Sequence, residues 1–152
     1  MQNTWIFQLR HPISAAHRSN LLTALSALMA DWKAHGTPVP GQAKVVRDRF
    51  IVVQAQPGST SGCSIDSMTQ GIDSILDAMG MALLPPNEVF YLNPEGDLAH
   101  IDFRKVKEAL AEGRMHADTV VFDSTMGQSN DLNRWEMPLR ETWLARFLPE
   151  TA

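Results

Sequence analysis

The sequence predicts an α+β fold, a single compact domain over residues 1–152 with a mixed or antiparallel sheet and about three helices. Two long stretches repeat apolar residues at three- and four-residue spacing, as helices with one buried face do. Short aromatic and β-branched runs alternate with them, and no internal repeat or long linker interrupts the chain. With 152 residues, 44% of them hydrophobic and 20% charged, the composition is that of a globular chain and not of a disordered or collagen-like one. A chain of this length buries roughly 68–70% of its unfolded surface, so a core forms without disulfide or metal staples.

In chain order, Trp5 to Leu9 reads as a strand, aromatic and β-branched at its start and stopped by His11-Pro12. Leu21, Leu22, Leu25, Leu28, Met29 and Trp32 then define one helical face, with Asn20 as the expected cap and Gly36 as the expected end. Thr37-Pro38-Val39-Pro40-Gly41 reads as a connection. Val45, Val46 and the run from Phe50 to Val53 are extended, as two strands of a hairpin or as one long strand turned at Arg47-Asp48-Arg49. The stretch 56–62 has almost no side chain to bury and must be a loop.

Ile65, Met68, Ile72, Ile75, Leu76 and Met79 restore helical spacing until Gly80. After Pro85-Pro86, residues 89–92 and 98–101 flank Asn93-Pro94-Glu95-Gly96 as a hairpin. Asp102 should cap a short helix through Val106, Ala109 and Leu110 that Gly113 closes, and 120–122 is a further strand. Residues 128–152 are expected to form an irregular tail packed on the domain through Trp135, Trp143, Phe147 and Leu148.

The net charge of −4 is unevenly spread. Residues 1–76 hold six Lys/Arg against four Asp/Glu, and 77–152 hold seven against thirteen. The dense basic clusters, Lys44, Arg47, Arg49 and Arg104, Lys105, Lys107, read as solvated element faces, which argues against a nucleic-acid partner. The longest apolar runs hold far fewer than the roughly 20 residues of a membrane span, so no membrane partner is expected. A lone cysteine and an amino terminus without signal-peptide features point to the cytoplasm.

The chemically suggestive element is the loop between the strand at 50–55 and the second helix. Backbone N–H groups and the positive end of a helix dipole should converge over Ser61, Gly62, Cys63 and Ser64, where an anion could bind. Alternatively, Ser61 or Ser64 only caps the helix. The same position favours the thiolate of Cys63, which makes it a candidate nucleophile or redox group, opposed by Asp66 in the first turn. Of His11, His17, His35, His100 and His116, we choose His35 as the base, since it falls at the expected end of the first helix.

Several other chemistries are disfavoured. The segment from Pro57 to Ser64 imitates a phosphate-binding P-loop, and Val120-Val121-Phe122-Asp123 imitates the magnesium-holding strand. Pro57 replaces the first Gly and Cys63 replaces the phosphate-gripping Lys, so the phosphates would lack their counter-charge and ATP hydrolysis is not expected. No HExxH, CxxC or Gly-x-Ser-x-Gly pattern occurs, and no metal or other cofactor is expected.

Asp31-Trp32-Lys33-Ala34-His35-Gly36, the strand Arg49-Phe50-Ile51-Val52-Val53, Ser61-Gly62-Cys63-Ser64-Ile65-Asp66 and Trp143-Leu144-Ala145-Arg146-Phe147-Leu148 together resemble a family of short uncharacterised bacterial proteins. Its members occur mainly among Bacteroidetes and are often described as ABC transporter ATPases. The resemblance covers nearly the whole chain and is most specific at the SGCSID segment. It implies no established activity, and it singles out Trp32, His35, Ser61, Gly62, Cys63, Ser64, Ile65 and Asp66. The ATPase description conflicts with the missing Lys and with the lack of an ABC signature. Residues 90–123, through Tyr91, Gly96, Gly113 and Asp118-Thr119-Val120-Val121, are similar to GYF-like modules, which bind proline-rich and other peptides, but they lack the Gly-Tyr-Phe signature.

Three readings fit these residues. In one, residues 61–66 with Trp32 form a binding site for a small anion or a protein partner; the alternative is a cysteine-dependent enzyme or redox protein using Cys63 with His35. A non-catalytic interaction module would use Trp32, Trp135 and Trp143 as core or interface anchors.

Overall fold

The computed structural model describes residues 3–123 and 132–149. The expected α+β class is observed, with three α-helices and antiparallel sheets among the described residues. Chain contacts divide it into two compact units, the first running to Leu84 and the second beginning at Pro85. The division falls at Pro85-Pro86, a few residues after the point where the charge balance turns acidic.

The first unit has a three-stranded sheet in the order β1 (Asn3–Gln8), β5 (Phe50–Ala55), β4 (Gly41–Val46). Trp5, Val53 and Ala43 stand opposite one another, as do Phe7, Ile51 and Val45, so these residues share one face. On that face pack Leu21, Leu25 and Met29 of α1 (Ala15–Asp31) and Met68, Ile72 and Leu76 of α2 (Gly62–Ala78). Phe50 and Val52 are fully buried too, which is why the central strand reads as a continuous apolar run. Arg47-Asp48-Arg49 joins β4 to β5 as a hairpin turn, deciding between the two open readings.

Both ends of α1 differ from expectation. Ser14, not Asn20, is the cap, and its hydroxyl accepts from the His17 amide. The first turns carry Ala15, Ala16, His17 and Arg18, residues without an apolar stripe, so periodicity alone starts the helix late. The helix ends at Asp31, with Trp32 already extended. Lys33–Ala34 (β2) pairs with Thr37–Pro38 (β3) across a two-residue turn in which His35 (φ 51°) and Gly36 (φ 80°) are both left-handed. This is the backbone of a type I′ hairpin turn, in which glycine is favoured at the second position. Gly36 therefore closes a ribbon instead of a helix.

The second unit is a four-stranded antiparallel sheet in the order β7 (Leu98–Asp102), β6 (Glu88–Leu92), β8 (Val120–Phe122), β9 (Glu136–Pro138). The turn between β6 and β7 is fixed by the Asn93 carboxamide, which accepts from the Glu95 and Asp97 amides, and by Gly96 at φ 82°. Asp102 caps as expected, but it opens one 3-10 turn, Phe103–Lys105, ahead of α3 (Val106–Ala111). Val89, Ile101, Val106, Ala109, Met115, Val121, Leu139 and Leu144 form the core.

The expected irregular tail contains a strand, β9, which pairs with β8 at Val120↔Pro138, Val121↔Met137 and Phe122↔Glu136. It is three residues long and ends in a proline that only an edge strand tolerates, so it carries no strand signal. Residues 128–131 and 150–152 of that tail lie outside the described residues.

Candidate functional site

The start of α2 is built by its own two serines. The Ser61 hydroxyl accepts from the Ser64 amide at 3.2 Å, while the Ser61 amide donates to the Ser64 hydroxyl at 2.7 Å. The Ser64 hydroxyl in turn donates to the Ser61 carbonyl at 2.8 Å. This reciprocal capping box consumes both side chains. A third group locks it from outside: the Trp32 indole N–H donates to the Ser64 carbonyl at 2.8 Å. Trp32 and Ser64 are both buried, and Trp32 meets Trp5 edge to face with centroids 5.9 Å apart. A Cβ on Gly41 would lie 2.6 Å from the Trp32 ring, so glycine is what lets β4 pass the indole.

Trp32, Ser61 and Ser64, candidates for ligand contact, are thus brought together by internal bonds. Gly62, Cys63 and Asp66 remain exposed, Cys63 as a free thiol. Gly62 and Cys63 occupy the first two helical positions, whose amides have no intrahelical acceptor. Asp66 lies two positions beyond Ser64, in the second turn and not the first. His35 is exposed in the β2–β3 turn, not at the end of α1, and no hydrogen bond or ion pair among the described residues joins it to Cys63. Among the described residues no group of three His, Cys, Asp or Glu could hold a metal ion, and no helix is long and apolar enough to cross a membrane.

The three tryptophans read as anchors separate sharply. Trp32 and Trp135 are buried, the latter against Phe122 with ring centroids 5.4 Å apart. Trp143 is 38% exposed. It rests edge to face on Phe103 at 5.5 Å and on Phe147 at 6.2 Å, with the Arg146 guanidinium 5.6 Å from the Phe147 ring centre. Phe103 was not among the residues singled out from the sequence; its neighbourhood to Trp143 arises from a contact across forty positions, which no local pattern encodes.

No family model, curated protein or solved structure matches this chain.

Proposed function

We propose that the protein is a non-catalytic peptide-binding module whose contact surface is the aromatic group Phe103, Trp143 and Phe147. The observation that supports this most is the exposure of Trp143 on a bed of two other rings. A tryptophan held in place at the surface offers a large apolar area at little further entropic cost, and proline-rich segments dock on such aromatic surfaces because they are already extended. The similarity of residues 90–123 to GYF-like modules leads to the same partner class. On this reading the protein acts in a bacterial cytoplasm, without a cofactor and without a nucleic-acid or membrane partner.

The test is a titration with decaproline followed through the indole N–H resonances, Trp143 being assigned from Trp143→Phe. Saturable movement of the Trp143 resonance, with Trp5, Trp32 and Trp135 still, is the expected result. A Trp143 resonance that stays fixed up to millimolar peptide rejects the reading.

The exposure of Cys63 beside two open amides favours a second reading, a small-anion or thiol site at residues 61–66. Iodoacetamide labelling across pH separates the two. A Cys63 rate profile with its midpoint well below 8.5 supports an activated thiol, and an ordinary midpoint near 8.5 removes it.

A further inference from the structure

The first unit carries a cleft of about 620 Å³ that the sequence patterns did not reveal. One wall is the segment that leaves β1 and enters α1, presenting Arg10, His11, Ile13, Ser14 and His17; the other is the chain after α2, with Met81. The walls are held in register by the Arg10 amide, which donates to the Ala82 carbonyl at 2.9 Å, and by the Leu9↔Leu83 bridge. The Arg10 carbonyl also accepts from the Arg49 guanidinium at 3.4 Å, fixing the backbone under the Arg10 side chain.

The charge of this cleft is one-sided. Its lining includes one arginine and two histidines and no acidic side chain. The nearby carboxylate of Asp48 is engaged by Arg18. No ion pair among the described residues neutralises Arg10, His11 or His17. Three unpaired groups able to donate hydrogen bonds to an anion therefore face one space, and Ile13 and Met81 give that space an apolar side. The volume falls within the roughly 300–1,000 Å³ typical of small-molecule sites and exceeds what a lone inorganic ion would fill.

We infer that this cleft binds a phosphate monoester of a small organic molecule. The Arg10 guanidinium grips two of the three terminal phosphate oxygens, the His11 and His17 imidazoles donate to the third, and the organic group lies against Ile13 and Met81. A carboxylate, with two oxygens, leaves part of this donor set unused. The site is independent of the peptide surface proposed above, since it draws on residues of the first unit only.

The experiment follows the histidine Cε1–H resonances at constant ionic strength during titration with phenyl phosphate, inorganic phosphate and benzoate. The expected result is saturable movement of His11 and His17, with His100 and His116 still. Phenyl phosphate should saturate at lower concentration than either of the other two. Arg10→Ala should raise the half-saturation concentration about tenfold, the size of a lost hydrogen bond to a charged group. If Arg10→Ala disturbs the remaining spectrum, His17→Gln takes its place with the same expected direction. Equal movement of all five histidines, benzoate binding as well as phenyl phosphate, or an unchanged half-saturation in the variant overturns the assignment.

Discussion

Two helix starts in this protein are each accompanied by a tryptophan, and the two are used in opposite ways. At α2 the cap is neutral, made by Ser61 and Ser64, and Trp32 is buried with its N–H committed to the Ser64 carbonyl. At the turn before α3 the cap is the Asp102 carboxylate, and Trp143 packs on the neighbouring Phe103 while remaining 38% exposed. The contrast separates a tryptophan that holds structure from one that is available to a partner. Burial with a satisfied N–H marks the first; an exposed ring on an aromatic bed marks the second.

Truncating both rings puts this contrast under the greatest strain. Trp32→Ala removes a fully packed indole, leaves a cavity beside Trp5 and releases the Ser64 carbonyl, so a loss of about 3–5 kcal/mol is expected. Trp143→Ala gives up two edge contacts and already exposed area, and should cost about 1 kcal/mol. Urea denaturation of both variants measures the difference. Equal losses would mean that Trp143 is structural after all and would weaken its case as a binding surface.

The rigidity of Trp32 can be probed through two glycines. Gly41 and Gly71 both lie in close contact with a neighbour: an added Cβ would come within 2.6 Å of the Trp32 ring at Gly41 and 2.5 Å of a Leu28 methyl at Gly71. The obstacles differ in kind. The indole is buried and tethered, whereas Leu28 is half-buried and its methyl can turn away. Gly41→Ala should therefore cost about 1–3 kcal/mol by overpacking. Gly71→Ala should lie near zero, because alanine recovers about 0.5–1 kcal/mol of helix propensity against a small repacking cost. A Gly41→Ala protein as stable as the parent would show that Trp32 is free to move.

Much of this arrangement was legible before the structure, and the missed elements have a common cause. The helix from Ile65 to Met79, its loop of Gly and Ser, the hairpin around Asn93 to Gly96 and the Asp102 cap all arise from local chemistry, and all are present. The polar first turns of α1 were invisible to an apolar-face pattern, and His35-Gly36 fits either a helix end or a tight ribbon. The candidate site split for a different reason. Trp32, Ser61, Gly62, Ser64 and Asp66 were read as one set of ligand contacts, but the hydrogen bond that ties Trp32 to Ser64 spans thirty-two positions, and no local pattern encodes it. The cleft of Arg10, His17 and Met81 joins segments about seventy positions apart, beyond any spacing argument.

A weaker effect distinguishes the two caps by pH. The Asp102 carboxyl is held well below the usual carboxylate range, first by the Arg104 guanidinium, then by the Arg104 amide, with Asn87 donating as well. A folded-state pKa below the unfolded one means that the ionised group stabilises the fold, fully above the unfolded value of about 3.9 and less as pH falls through the folded one. Asparagine can still cap the Arg104 amide but cannot pair with the guanidinium. The stability gap between the parent and Asp102→Asn should therefore be constant from about pH 5 upward and narrow below about pH 4. Because the pair is exposed on the Arg104 side, the gap itself is small. The serine cap of α2 has no titrating group, so Ser61→Ala should differ from the parent by the same amount at every pH in the series. Urea midpoints measured from neutral pH down to about pH 2.5 decide the matter; a gap for Asp102→Asn that is flat throughout would mean that the carboxylate caps the turn no better than a neutral amide does.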